Sequence, residues 1–210
     1  MIEIIKEIKK EIFSKRIVFL SICILFVLGL LFGSLYVTIL DDNEKKDIIT
    51  SVNNYFYSYK NINFQDKLEI FKTTLFNNLL FFISIWLLGL SVIGLPIIFL
   101  MTFFKSFISG FSIAGIFIKY KIYGLIGILI YIFPSTIITL ILSIILGSYS
   151  TIISLNLVRD SFTKKSLNFG SIMGKYFFLL LISIIIIVIC SLFDAFISPY
   201  LYKIFVNTLK

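Results

Sequence analysis

The residue in this sequence whose chemistry most needs an explanation is Lys105, a charged side chain inside a long apolar run that begins at Asn77. A charge at membrane depth is costly and usually has a functional or structural reason. Asn78 adds a second amide at the start of the run, and Gly94 and Pro96 interrupt it. These five residues form a predicted intramembrane set of polar and hinge positions. Such a set could contact a substrate, an ion or another helix.

Topology limits the partners that Lys105 could have. Its stem could snorkel toward the inner headgroups, or its ammonium could contact a helix-end carbonyl, an acid of another chain, or the amide of Asn77 or Asn78. Asp194 is the other acid near a span, and we place it close to the opposite membrane face. A direct Lys105–Asp194 pair is therefore not expected.

Residues suited to catalysis or metal binding are sparse. The chain has no histidine, the commonest general base and metal ligand. Cys23 and Cys190 both lie in apolar runs, as buried packing residues do. The apolar runs hold neither paired aspartates nor a serine beside a base, which an intramembrane protease would need. We therefore predict that the protein is not an enzyme and needs no metal or cofactor.

Composition assigns the whole chain, residues 1–210, to one membrane domain. Hydrophobic residues make up 59% and charged residues 14%, against about 25% charged in soluble domains. The net charge of +8 is spread over the flanks of apolar segments. That distribution lacks the dense basic and aromatic alternation of a nucleic-acid groove. Membrane lipids, and not nucleic acid, are the predicted partners.

Five apolar segments are long enough to cross a bilayer, which takes about 20 helical residues. They are predicted at residues 17–40, 76–93, 96–118, 123–146 and 176–197. Residues 1–16 carry isoleucines at helical spacing among basic residues, which predicts an amphipathic helix on the cytoplasmic surface. The predicted fold class is all-α: a polytopic membrane protein with about five transmembrane helices plus amphipathic interfacial helices. A four-pass alternative, with residues 106–118 re-entrant, stays open.

The polar segment 41–75 should lie outside the cell, because the basic N-terminus stays inside and one span separates the two. Its middle is aromatic, with Tyr55, Phe56, Tyr57 and Tyr59. These rings are typical of an interfacial aromatic belt. They are also typical of a docking surface for an extracytoplasmic partner, since tyrosine-rich surfaces anchor interfaces.

Small residues predict where the helices approach one another, because apolar burial gives no drive between helices in lipid. They recur four residues apart: Gly29 and Gly33; Ser106, Gly110 and Ala114, with Gly115 beside them; and Gly170 and Gly174. Packing within one chain is the favoured interpretation. Homo-oligomerisation is the alternative use of the same pairs.

Several short segments occur in an order that can be compared with known families. They are Phe32-Gly33-Ser34, Asn77-Asn78-Leu79, Ile85-Trp86-Leu87-Leu88-Gly89, Ile93-Gly94-Leu95-Pro96-Ile97, Phe104-Lys105 and Gly110-Phe111 with Gly115. In this order they resemble the stage II sporulation protein M family of endospore-forming bacteria. The resemblance covers nearly the full length and is most specific over residues 77–115.

The resemblance implies a membrane protein of the mother cell that is required for engulfment of the forespore. Its implied role is a scaffold, which anchors the peptidoglycan-degrading stage II sporulation proteins D and P at the septal and engulfing membranes. The alternative is a subunit of a small-solute transporter or channel, with Lys105 and the two asparagines lining the path. Against that alternative, the spans carry few polar groups to replace an ion's hydration. A third hypothesis is a lipid-organising protein of the septum.

Overall fold

The structure is a computed structural model that describes residues 2–58, 62–132, 135–163 and 169–208. In these ranges the chain is helical apart from short connections, with no strand, which confirms the all-α fold class. The elements are α1 (Ile2–Ser14), α2 (Arg16–Ile39), α3 (Asp42–Ser58), α4 (Phe64–Gly89), α5 (Gly94–Ile132), α6 (Ser135–Thr163), α7 (Phe169–Leu192), a π-helical turn (Phe193–Ile197) and α8 (Ser198–Thr208).

Five segments of the described ranges are long and apolar enough to cross a membrane. They are Arg16–Ile39, Phe64–Gly89, Gly94–Lys121, Ser135–Arg159 and Ile172–Ile204. This agrees with the predicted number of spans. The third segment is one continuous helix of 28 residues, which disagrees with the alternative in which residues 106–118 are re-entrant.

The bundle has two ends that differ in the helix covering them. At one end α1 packs on α6, and at the other α3 packs on α5 and α8. We call them the α1 end and the α3 end. Helix α1 buries Ile8 and Ile12 in the main core, so it is attached to the bundle itself. The lipid contact predicted for residues 1–16 stays a prediction.

The second span begins earlier than predicted, at Phe64 and not at residue 76. A capping box starts the helix: the Asp66 carboxylate accepts a hydrogen bond from the backbone N–H of Asn63 at 2.9 Å, and the Asn63 side chain caps the N3 amide. Capping satisfies donors that the first turn leaves free, so the polar residues after it can be helical. The predicted segment 41–75 therefore divides into α3 and the first turns of α4.

The predicted fourth span, residues 123–146, is wrong at both ends. The helix is α6, which begins at Ser135 directly after Pro134, a residue outside the described ranges. Residues before it belong to α5, whose backbone leaves helical geometry at Lys121 (φ 49°, ψ −127°). Proline lacks a backbone N–H and clashes with the preceding turn, so it marks a helix start here and not the middle of a span.

Helix α6 also continues beyond the predicted end, through residues that look polar in the sequence. The Ser148 hydroxyl donates to the Ile144 carbonyl at 2.6 Å, and Thr151 donates to Gly147 at 2.7 Å. Hydroxyls that bond to the preceding turn can be buried without a cost from unpaired polar atoms. Most of the span from Ser135 to Arg159 is buried, so α6 is the central helix.

Small residues bring α2 and α5 into close contact. A Cβ atom on Gly33 would overlap the backbone carbonyl of Phe107, and one on Gly110 would overlap that of Leu30. A Cβ atom on Gly29 would likewise overlap the hydroxyl oxygen of Ser106, a residue that is fully buried. The other predicted positions differ. A Cβ on Gly115 would lie 3.0 Å from Ile48 of α3, Ala114 is half-buried, and Gly170 and Gly174 have nothing within 4 Å of theirs.

Candidate functional site: a polar cavity in the helix bundle

A polar cavity of about 300 Å³ lies between α4, α5, α6 and the last turns of the chain. Its polar lining residues are Thr74, Asn78, Lys105, Ser109, Ser135, Thr136, Thr139, Asp194, Ser198 and Tyr202. The residues from α6 come from its first turns and those from α4 lie between Ile70 and Asn78, while Asp194, Ser198 and Tyr202 come late in the chain. The cavity therefore occupies the half of the bundle toward the α3 end. Polar groups gathered at membrane depth are typical of a functional site.

Lys105 forms one wall of the cavity and is held by α4. Its Nζ donates to Asn78 Oδ1 at 3.0 Å and lies 4.9 Å from the centroid of the Phe81 ring. The amide and the aromatic face both stabilise a cation. Of the partners predicted for Lys105, the Asn78 amide is the one that the structure provides, and it holds the ammonium inside the bundle.

Asp194 also lines the cavity, from the π-helical turn. The Ser135 hydroxyl, at the start of α6, donates to its Oδ1. A π-helical turn changes the direction in which the following side chains point, and such turns recur at functional sites. The turn interrupts the last span between α7 and α8.

The structure thus brings together two residues that the sequence analysis kept apart. Lys105 and Asp194 line one cavity, which was not predicted from the sequence. The physical reason is depth: Lys105 is near the middle of α5, and the cavity extends from there toward the α3 end, where the last span terminates. Within the described ranges no ion pair joins them.

Hydroxyl groups line the same cavity as the two charges. Ser109 donates to the Lys105 carbonyl at 3.0 Å, and Thr139 donates to the Thr136 carbonyl at 2.9 Å. Because these protons are used within their own helices, the oxygens present lone pairs as acceptors. The cavity therefore offers a cation, an anion and a set of hydrogen-bond acceptors.

The other predicted hinge and polar residues lie away from the cavity. The Asn77 side chain is exposed on α4. Gly94 and Pro96 lie at the turn between α4 and α5, where a Cβ on Gly94 would overlap the Leu88 carbonyl and Pro96 occupies the first turn of α5. Proline is tolerated there because the first turn needs no intrahelical donor. Their role in this structure is to form a tight turn.

A second polar cluster, which the sequence analysis did not find, holds α1 on the bundle. Glu11 accepts hydrogen bonds from Lys175 Nζ at 2.7 Å and from the Tyr149 hydroxyl at 2.8 Å. Glu7 also pairs with Lys175 at 2.9 Å, and Lys15 donates to Asn156. The sequence contains a signal for it, since Glu7 and Glu11 are four residues apart and share one face of a helix.

Aromatic side chains close the bundle between that cluster and the cavity. Tyr176 is fully buried, and its hydroxyl contacts the Trp86 carbonyl at 2.7 Å and Ser150 at 2.8 Å. Tyr149 and Phe82 are also fully buried in this layer. The layer belongs to the main core and lies on the side of the cavity toward the α1 end.

The predicted docking residues cannot be placed from the structure. The side chains of Tyr55, Phe56 and Tyr57 and the whole of Tyr59 lie outside the described residues.

Cys23 and Cys190 are free thiols. No group of three or more histidine, cysteine or acidic side chains that could hold a metal ion occurs in the part of the chain that the structure describes.

Five long apolar helices and the absence of strands in the described ranges define the class of protein: a multi-pass, all-α membrane protein. Comparison with protein families then assigns it more closely. Residues 22–199 match the model of the family described as stage II sporulation protein M. The match covers most of the chain, so the protein belongs to this family. Searches of the curated proteins and of the solved structures gave no match.

Proposed function

We propose that this protein is a non-catalytic membrane scaffold of sporulation. It anchors and localises peptidoglycan-degrading enzymes at the septal and engulfing membranes of the mother cell. The observation that carries the proposal is the family match over residues 22–199. The partners we propose are the stage II sporulation proteins D and P, which the family resemblance implies.

Helix α3 supports this proposal, because it offers a fixed polar surface at one end of the bundle. Ile48 and Val52 face α5 at Gly115, where the absence of a side chain makes room for them. Asn53 accepts a hydrogen bond from the Tyr120 hydroxyl at 3.4 Å. The charged first turns of α3 are exposed. With the N-terminus inside, as predicted, this surface faces the compartment that contains the wall-degrading enzymes.

The alternative function, a transporter or channel subunit, gains one observation from the structure. The polar cavity contains Lys105 and Asn78, two of the residues predicted to line a path. Yet the buried aromatic layer around Tyr149 and Tyr176 packs in the core toward the α1 end. We therefore rank the scaffold first. If the purified protein in liposomes moved a solute and the Lys105→Met variant did not, the transporter function would rank first.

Undocking α3 is expected to release the partners. In Ile48→Asp/Val52→Asp, two carboxylates replace half-buried side chains that face α5, so α3 should leave the bundle because unpaired charges in a packed contact are costly. We expect recovery of proteins D and P with the tagged chain to fall about tenfold, the scale of losing an interface anchor. The measurement is affinity purification from sporulating cells.

The matched control is Thr50→Asp/Ser51→Asp, which adds the same charge to exposed positions of the same helix. It should recover both enzymes as the unchanged chain does. Equal amounts of each variant in the membrane fraction show that insertion is intact. The predicted aromatic surface is tested in parallel by replacing Tyr55, Phe56, Tyr57 and Tyr59 with alanine. Undiminished recovery in both test variants would contradict docking through this segment.

A further inference from the structure

We propose that the cavity between α4, α5, α6 and the π-helical turn binds a small zwitterion that carries a primary ammonium group and an oxyanion. The oxyanion is bound by Lys105 and the ammonium by Asp194. This ligand site is independent of the scaffold function proposed above. It follows from the charges, the hydroxyl groups and the size of the cavity.

The charges favour a ligand that has both signs. Lys105 and Asp194 line the same space without forming an ion pair with each other. Both sit at membrane depth, where an uncompensated charge is costly. A simple anion would neutralise Lys105 but be repelled by Asp194. A simple cation would neutralise Asp194 but be repelled by Lys105. A zwitterion that spans the gap compensates both and brings no net charge into the bundle.

The hydroxyl groups favour a primary ammonium over a quaternary one. Ser109 and Thr139 donate their hydroxyl protons to backbone carbonyls, so their oxygens can accept hydrogen bonds from the donors of a ligand. A primary ammonium has three N–H donors, like that of lysine, whereas a trimethylammonium has none. The aromatic rings that typically bind a quaternary ammonium are also few here, since Tyr202 is the single aromatic residue among the lining residues of this cavity.

The size and shape of the cavity favour a small ligand. Its volume of about 300 Å³ is at the lower end of small-molecule pockets. Ile108, one of the lining residues, is 61% exposed on the bundle surface, so the cavity adjoins that surface.

Two sources share this chemistry. One is a free zwitterion such as an amino acid, and the other is the headgroup of phosphatidylethanolamine, with an ammonium and a phosphodiester. Glycerophosphoethanolamine, which is that headgroup without acyl chains, is a soluble probe. Alanine is the probe for the free source.

The first experiment uses the unchanged protein in nanodiscs of phosphatidylglycerol, with binding measured by calorimetry. We expect at least one of the two zwitterions to bind. Glycerol 3-phosphate lacks the ammonium, ethanolamine lacks the oxyanion, and glycerophosphocholine lacks the N–H donors. Each should therefore bind at least about tenfold more weakly than the zwitterions. Absence of binding by both zwitterions, or equal affinity for the single-charge compounds, would overturn the proposal.

The second experiment assigns the charges. Lys105→Met and Asp194→Asn should each weaken binding of the zwitterion about tenfold or more, because each removes one charge-assisted contact. The conservative Lys105→Arg keeps the cation and should retain binding. Lys72→Met and Asp47→Asn, at exposed positions on α4 and α3, are the matched controls. Wild-type affinity in a folded Lys105→Met or Asp194→Asn protein would contradict the assignment, and gel filtration with circular dichroism reports folding.

The third experiment separates the two sources. Adding phosphatidylethanolamine to the nanodiscs should weaken the apparent affinity for the soluble zwitterion if the lipid headgroup occupies the site. An unchanged affinity identifies the free zwitterion as the ligand. Both results agree with a zwitterion site, and the first experiment decides whether the site exists.

Discussion

Gly33→Ala is expected to destabilise the folded bundle by about 2 kcal/mol, the usual cost of forcing an atom into a packed interior. The added methyl would overlap the backbone carbonyl of Phe107. A backbone atom cannot rotate away as a side chain can, so α2 and α5 must separate. Separation also loosens the neighbouring contacts of Gly29 and Gly110, because they belong to the same interface. Gly33→Leu should cost more and prevent stable folding.

The matched control is Gly174→Ala on α7, where nothing lies within 4 Å of the added Cβ. That change should stabilise the helix by about 0.5–1 kcal/mol, because alanine restricts the unfolded backbone. Unfolding in mixed detergent micelles, followed by circular dichroism, measures both. A Gly33→Ala midpoint equal to that of the unchanged protein would show that α2 and α5 do not approach as described.

Lys175→Met is expected to detach α1 from the bundle. Lys175 is the cation that compensates Glu7 and Glu11, and its loss leaves two acids four residues apart on one helix. A fully buried pair that loses one partner costs several kcal/mol. Here the side chains are 17% (Lys175), 58% (Glu7) and 37% (Glu11) exposed, so solvent screening reduces the expected cost to about 1–2 kcal/mol.

Hydrogen exchange of the α1 amides measures this effect, because opening of a local unit raises the exchange of its backbone. We expect about tenfold faster exchange around Ile8 and Ile12, which corresponds to about 1.4 kcal/mol. Lys203→Met, an exposed lysine of α8, is the control and should leave α1 protected. If α1 in Lys175→Met stayed as protected as in the control, its apolar contacts alone would be sufficient to hold it.

The fourth span shows where sequence interpretation failed and why. Average hydropathy favoured residues 123–146, but α6 begins at Ser135, directly after a proline in the sequence, and residues 148–163 are helical despite their polarity. Hydropathy counts a serine as polar wherever it lies. A serine that donates to the preceding turn, as Ser148 does, is compatible with burial. The difference depends on hydrogen-bond geometry, which no average over a window contains.

The glycine pairs show that sequence spacing alone does not predict which helices pack together. Gly29 and Gly33 have the same spacing as Gly170 and Gly174, yet the first pair lies against α5 and the second faces open space. Spacing places two small residues on one helix face. Whether a second helix approaches that face depends on how the whole chain packs.

From the sequence alone followed the membrane class, the number of spans and the anomaly of Lys105. These are properties of composition and period, and each is decided by the cost of placing polar groups in lipid. The family resemblance came from the order of short segments along the chain. The tertiary structure alone decided that Asp194, far away in sequence, shares a cavity with Lys105, and that Glu11 binds Lys175. Such contacts depend on the depth and the rotation of each helix. Packing across the whole bundle determines both, and the local sequence does not encode them.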